Sequence, residues 1–272
     1  MPQPLVSLST DFGPGNKGIG VMHGVVLEIC PQAVVIDLVH DITGLDIREG
    51  AKLFEAAAWL RVGHHVCVVD PGVGTDRRGI VIETGRGDRL IGPDNGVLIP
   101  ATRFLGGITA AYHITNPALM LPTVSATFHG RDVFAPVAAH LAAGVPIAQV
   151  GPEIFAAESP CSPLHSATYE EAVAKNGTID TEIVCINRFG SVFLNVCAAE
   201  MHAIAKPGDV ISMQSARATI TVPYDRTFGD VEIGEDVIMD DDFGRVQAAV
   251  NQGSFAGKHK VRVGDRVKLS KK

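Results

Sequence analysis

The sequence predicts an α/β domain with a largely parallel sheet, followed by a smaller all-β, barrel-like domain. Three observations carry this. Over the first 160 residues, short β-branched apolar runs alternate with segments of helical periodicity, as in a parallel sheet covered on both faces. Near residue 160 the character changes, and Pro160, Pro163 and a polar stretch to Gly177 read as a linker. Beyond it come only short apolar runs separated by turn residues. The expected division is 1–160 for the first domain, 161–177 for the linker and 178–272 for the second domain.

Leu5 to Ser9 is a short strand ending at Thr10-Asp11-Phe12-Gly13. Lys17 to Cys30 has helical periodicity and stops at Pro31, which cannot continue a helix. Ala33 to Leu38 is expected to be a second buried strand, leading to His40-Asp41. Asp46 to Leu60 is an amphipathic helix with Asp46 as its N-cap. His64 to Val69 is a core strand, and Gly79–Thr84, Leu90–Gly92 and Thr109–Ile114 are further strands. Gly85-Arg86-Gly87 is a hairpin turn, too short for a dinucleotide fingerprint. Arg131 to Ala143 is a helix opening just after Thr127-Phe128-His129-Gly130. In the second domain the strand candidates are 179–186, 192–196, 218–222 (starting at Ala218), 237–239, 246–250 and 267–269.

The chain is organised around Asp70-Pro71-Gly72-Val73-Gly74-Thr75-Asp76-Arg77-Arg78. A carboxylate arrives at the carboxyl end of a core strand, where open α/β sheets hold their ligands. The proline and glycines make a tight turn whose backbone can approach a ligand, and Arg77 lies within folding-back distance of Asp70. The spacing alone leaves open an ordinary βα turn with a surface Asp and a solvated Arg. Asp11 repeats the arrangement, with an Asx-turn as its plain alternative. His129, at the mouth of a helix, is favoured in its neutral form by the helix N-terminus.

Composition narrows the classes. With 46% hydrophobic residues the 272-residue chain can bury a sizeable core, and its formal charge of −7 argues against a general nucleic-acid binder. No apolar run approaches the roughly 20 residues of a membrane span. The five cysteines (Cys30, Cys67, Cys161, Cys185, Cys197) are scattered, which reads as buried thiols in a reducing compartment rather than disulfides or a zinc site. Met1-Pro2-Gln3-Pro4 has no signal-peptide character, and a cytoplasmic protein is expected.

Four motifs in order, Ser9-Thr10-Asp11-Phe12-Gly13, Asp70-Pro71-Gly72-Val73-Gly74-Thr75, Pro93-Asp94-Asn95-Gly96 and Thr127-Phe128-His129-Gly130-Arg131-Asp132, resemble the S-adenosyl-L-methionine hydroxide adenosyltransferases, relatives of the fluorinating and chlorinating enzymes. The resemblance implies a hydrolase in which water or hydroxide displaces L-methionine from C5′ in an SN2 step, giving adenosine, without metal or cofactor. It implies Asp70, Arg77 and His129 as the catalytic set and Asp11 as the ribose anchor. It also implies a homotrimer with each site formed between the first domain of one subunit and the second domain of the next. The halide relatives carry Ser where this chain has Gly130 and an aromatic where it has Asp70, so the chain resembles the hydroxide type. Since water has a pKa of about 15.7, attack benefits from a base. An Arg partner weakens a carboxylate as a base, so we expect Asp70 and Arg77 to orient the water and His129 to accept its proton.

The second-domain motifs depart from the family. Asp-Arg-Phe-Gly-Asn reads here as Asn187-Arg188-Phe189-Gly190-Ser191, and Asn-Ser-x-Gly as Asp241-Asp242-Phe243-Gly244. Expected substrate contacts are therefore Asn187, Phe189, Ser191, Asp242, Phe228 stacking on adenine, and the backbone near Gln252. Two explanations stay open: the counter-charge for the substrate ammonium has moved from position 187 to Asp241 or Asp242, or the pocket takes another adenosine derivative or has lost the reaction. Two competing classes are a non-catalytic nucleoside-binding protein and a metal-dependent hydrolase built on Asp11, Asp41, Asp70, Asp94 and His129.

Overall fold

The computed structural model describes residues 2–156, 163–166, 169–216 and 219–272; Pro160, Cys161 and Ala218, singled out above, lie outside the described residues. The chain forms two compact units, Met1–Thr168 and Tyr169–Lys272. Among the described residues no helix is long and apolar enough to cross a membrane.

The first unit runs β1 (Leu5–Thr10), α1 (Lys17–Ile29), β2 (Val34–Val39), α2 (Ile47–Phe54), β3 (His64–Val68), β4 (Gly79–Thr84), β5 (Arg89–Pro93), α3 (Ile99–Thr102), β6 (Ile108–His113), α4 (Ala135–Ala142) and β7 (Glu153–Ala156). Its seven-stranded sheet has the order β2-β1-β3-β5-β4-β6-β7. The first four strands are mutually parallel and form the α/β part expected from the sequence; β4, β6 and β7 add an antiparallel flank. Val6, Leu8, Val66 and Val68 pack one face of the sheet against Met22 and Val26 of α1 and Val137 and Ala138 of α4. Each such side chain removed from water stabilises the unit by roughly 1.5–3 kcal/mol.

The helix starts follow the sequence. Asn16 caps α1 by accepting from the Gly18 N–H, and Asp46 caps α2 by accepting from the Glu49 N–H at 2.9 Å. Three elements differ from expectation. β2 is half-exposed rather than buried, because it is the sheet edge, with β1 as its one strand neighbour among the described residues. The helix after Asp46 becomes a 3₁₀ turn over Glu55–Trp59, whose first residue Glu55 accepts from the buried Lys52 of α2 (3.2 Å). The helix after His129 opens as a π turn over Gly130–Phe134. Pro136 has no N–H for the carbonyl of Asp132, which instead accepts from Leu121 (2.9 Å).

A polar chain closed from solvent ties the sheet together. Ser7 Oγ meets His65 Nδ1 (2.8 Å), His65 Nε2 meets Asp88 (3.1 Å), and Arg86 holds Asp88 from the β4–β5 hairpin (2.7 Å). All three members of this Ser-His-Asp set are fully buried, so it is architecture and not an exposed nucleophile. Next to it, His64 Nδ1 is buried without a hydrogen-bond partner among the described residues. Burial, reinforced by the Arg89 cation, holds the His64 pKa down to about 4. The unfolded chain therefore takes up this proton first, so the stability is complete above pH 6.5 and is lost as pH falls towards 4. Half-buried His113, His129 and His140 shift the same way, with desolvation as the first cause in each. Burial alone would raise Asp88, but hydrogen bonds from His65 and Arg86 hold it below the carboxylate range, and its contribution is lost only below pH 3.8. Thermal melts between pH 7 and 4.5 are expected to show a falling midpoint. His64→Gln is expected to remove up to about 3 kcal/mol of that dependence, and an unchanged slope would contradict the assignment.

The second unit runs β8 (Ala174–Lys175), β9 (Thr178–Ile186), β10 (Val192–Cys197), α5 (Ala198–His202), β11 (Val210–Ser215), β12 (Thr219–Pro223), β13 (Asp236–Asp240), β14 (Arg245–Val250), α6 (Phe255–His259) and β15 (Arg266–Lys271). Its antiparallel order is β12-β11-β15-β9-β10-β14-β13, with β8 on β9. The two end strands meet where Tyr224 bridges Ile238 and the Asp225 N–H donates to the Ile238 carbonyl (2.9 Å), so the sheet is nearly closed as a barrel. Ile183, Leu194, Met213, Val246 and Phe255 fill it. Arg245, fully buried, holds Glu171 by two hydrogen bonds (2.7 and 2.8 Å) and lies over the Tyr169 ring.

Candidate active site

The parallel register of β1 and β3 sets Thr10 beside Val68, so Asp11 and Asp70 emerge at neighbouring strand ends. After β3 the chain turns through Pro71–Thr75, with the Val73 N–H donating to the Asp70 carbonyl (3.2 Å). It then returns Arg77 onto Asp70. Arg77 Nε donates to Asp70 Oδ1 at 3.0 Å and Nη2 to Oδ2, a two-pronged pair with both side chains nearly buried. The same Nη2 lies 3.1 Å from His129 Nδ1. Phe134 supports the group, with the Arg77 guanidinium over its ring and His129 edge-on to it.

Asp11 accepts from the Leu45 N–H at 2.8 Å. Asp11, Phe12, Leu45, Asp70, Phe128 and His129 border a cavity of about 170 Å³, and Arg77 holds two of them, Asp70 and His129. Whole-ligand pockets run roughly 300–1,000 Å³, so this cavity seats part of a ligand. A Cβ at Gly130 would stand 3.3 Å from both Met22 Sδ and Phe128 Cε2, which leaves little room there for the hydroxyl side chain of the halide type.

Two residues brace the Asp70–Arg78 loop at its two ends without bordering the cavity. Asn95 Nδ2 donates to the Val69 carbonyl (2.8 Å), fixing the peptide that leads into Asp70. Asp94 is taken by Arg78 (2.9 Å) and by the His165 N–H (3.0 Å). The Pro93–Gly96 turn was visible in the sequence, but this bracing role was not.

The metal-site expectation on Asp11, Asp41, Asp70, Asp94 and His129 finds no cluster. Asp70 and Asp94 each face a guanidinium, and among the described residues no three His, Cys, Asp or Glu side chains are grouped to hold an ion. The proton-acceptor role expected of His129 meets a constraint at Nδ1. Its Nδ1 faces an Arg77 N–H and accepts from it, so the neutral ring carries its proton on Nε2. Burial first, and then the Arg77 cation, lower the His129 pKa and keep that ring neutral.

In the second unit, Asn187 Oδ1 accepts from the Phe189 and Ser191 N–H groups (3.0 Å each), closing the β9–β10 turn. Phe189 is exposed and Ser191 is buried. The turn lies against the segment after β14, where the Ala256 N–H donates to the Gly190 carbonyl (2.9 Å), and Gln252 stands there with a left-handed φ of 54°. Phe228 is exposed on the loop before β13. Asp242 is not part of this group. It precedes β14, whereas Asn187 faces its far end, five residue steps of roughly 3.4 Å away. Asp241 Oδ1 accepts from the Phe243 and Arg245 N–H groups in its own turn. Relocation of the ammonium counter-charge to Asp241 or Asp242 is therefore not supported.

A carboxylate–guanidinium–imidazole cluster over parallel strand ends, followed by a nearly closed antiparallel barrel, defines a two-domain class of small-molecule site. The chain belongs to the SAM hydroxide adenosyltransferase family: the family's N-terminal domain model matches residues 6–151 and its C-terminal domain model residues 181–268. It is 37% identical over 270 residues to an (R)-S-adenosyl-L-methionine hydrolase of Salinispora tropica, covering 99% of this chain and 98% of that one. It is 35% identical to another of the same name from Thermus thermophilus, over 93% of each chain. A fluorinase of Actinoplanes sp. is 24% identical over 98% of each. The crystal structure of an uncharacterized conserved protein from Thermotoga maritima superposes with a TM-score of 0.87 at 29% identity, covering 97% of this chain and 99% of that one.

Proposed function

We propose that this protein hydrolyses (R)-S-adenosyl-L-methionine to adenosine and L-methionine by attack of water at C5′. The observation that carries the reading is the Asp70–Arg77–His129 cluster beside Asp11 on one cavity, together with the relatives' shared activity. A sulfonium is already a good leaving group. The C5′–S electron pair passes to sulfur as the water oxygen bonds to C5′, so the site's work is to aim and desolvate the water. The attacking oxygen becomes strongly acidic as the bond forms, and a weak base then suffices. Asp70, fixed by Arg77, takes that proton and passes it to solvent. His129 remains neutral and secures Arg77, keeping a further cation away from the sulfonium. Asp11 accepts from the ribose hydroxyls.

Asn187, Phe189, Ser191, Phe228 and the Gln252 backbone contact adenine and the methionine end, with sites completed between copies of a cytoplasmic homotrimer. The buried cysteines Cys30, Cys67, Cys185 and Cys197 agree with a reducing compartment. A second reading, a nucleoside-binding protein without turnover, is favoured by one observation: Asn187 spends its carbonyl on the turn and brings no negative charge for an ammonium. Incubation with S-adenosyl-L-methionine in ¹⁸O-water, with and without EDTA, separates the readings. Adenosine labelled at its 5′ oxygen in both arms is expected. Unlabelled adenosine, methylthioadenosine, or adenosine binding without turnover would overturn the proposal, and loss of activity with EDTA would return the metal-dependent class.

A further inference from the structure

We propose that His40 is a positioning residue for the ribose anchor Asp11, acting through Thr10 and oriented by Asp37; this rests on the reading of Asp11 given above. The segment from His40 to Leu45 straddles the Asp11 loop and grips it at both ends. At one end the Leu45 N–H, on a backbone with φ 65°, donates to Asp11 Oδ2 at 2.8 Å. At the other end His40 holds the loop twice. Its carbonyl accepts from the Gly13 N–H (2.8 Å), and its Nδ1 meets Thr10 Oγ1 (2.8 Å).

The hydrogen bonds form a directional chain. The Phe12 N–H donates to Thr10 Oγ1 (3.3 Å), and the Thr10 hydroxyl proton goes to His40 Nδ1. His40 Nε2–H then donates to Asp37 Oδ1 (2.9 Å), which His23 Nε2 also reaches (2.6 Å). A ring with its proton on Nε2 satisfies every member, and Asp37 selects that tautomer as a carboxylate selects the tautomer of a catalytic imidazole. Burial would raise the Asp37 pKa, but the hydrogen bonds from His23 and His40 outweigh it and keep this carboxyl ionised. Thr10 is fully buried and the His40 side chain is 9% exposed, so the link between them is shielded, although Asp37 at the far end is half-exposed, while Asp11, one residue on, faces the cavity. Neither His40 nor Thr10 borders that cavity, so their influence on a ligand passes through the loop.

Without the imidazole, the Thr10 hydroxyl loses its acceptor and Asp11 loses one of its two flanking supports. The effect falls on ligands that carry ribose hydroxyls. His40→Ala and, independently, Thr10→Val are each expected to weaken adenosine binding by about tenfold, the size of one charge-supported hydrogen bond. Binding of 2′,3′-dideoxyadenosine, measured by the same titration calorimetry, is expected to change less than twofold. For S-adenosyl-L-methionine, KM rises with kcat within about twofold of wild type. His40→Asn, which returns an acceptor near the Nδ1 position, restores most of the affinity. Unchanged adenosine affinity in His40→Ala or Thr10→Val, or equal weakening of both nucleosides, would overturn the inference. A wild-type protein that binds adenosine but releases no labelled product would overturn the proposed reaction alone.

Discussion

Asp70→Asn is expected to lower kcat for S-adenosyl-L-methionine by about 10²–10⁴-fold, the range for loss of a positioned base. The substitution keeps size and shape, so folding is expected to survive. It fails chemically for two reasons. Asp70 receives Arg77 through both oxygens, and an amide offers one acceptor and turns an N–H towards the other donor. The guanidinium is then uncompensated in a nearly buried setting, which removes the grip on the water and places a bare cation where the sulfonium must approach. KM is therefore expected to rise together with the fall in kcat. Adenosine release followed by chromatography under single-turnover conditions separates the two effects. Retention of more than a tenth of wild-type kcat would return the proton to His129, and His129→Ala would then be the inactive variant.

The first unit was legible where chemistry coincided with periodicity. The apolar runs at β1 and β3 place Asp11 and Asp70 at strand ends, and parallel register makes those ends neighbours. The fold-back of Arg77 could be read from the Pro-Gly-Val-Gly turn. What escaped was carried by backbone groups and by bracing side chains. The Leu45 N–H that meets Asp11 depends on a left-handed φ at a leucine, for which composition gives no sign. Asn95 was seen as a turn residue, although its amide reaches across to the Val69 carbonyl. The role of His129 turned on which ring nitrogen meets Arg77, a matter of angstroms that no spacing encodes. The π turn did have a signal: Pro136 stands four residues after Asp132 and must release that carbonyl. The separation of Asp242 from Asn187 was also readable, since antiparallel neighbours put the start of β14 opposite the end of β10. In the barrel, β11 was missed because only Ile211 and Met213 of its six residues point into the core, too short an alternation to stand out.

Gly74→Ala tests whether the loop carrying Asp70 and the segment carrying His129 are a single interlocked unit. Gly74 has φ 76°, in the left-handed region, and an added Cβ would lie 2.3 Å from the Ala126 carbonyl oxygen. Backbone strain alone costs about 1–2 kcal/mol. The clash is with peptide backbone three residues before His129, so no flexible side chain can yield to it. One of the two segments must move, and with it the contact between Arg77 and His129. The expected loss is about 3 kcal/mol or more in urea denaturation, with kcat lower by at least about tenfold, since a shift near 1 Å in such a site costs on the order of 10²-fold. Gly144 supplies the control: φ 98° and nothing within 4 Å of its added Cβ. Gly144→Ala carries the strain without the clash and is expected to lose only about 1–2 kcal/mol while leaving kcat unchanged. Equal stability losses and unchanged turnover in both variants would show that the two segments move independently. The water-aiming geometry would then need a support other than this contact.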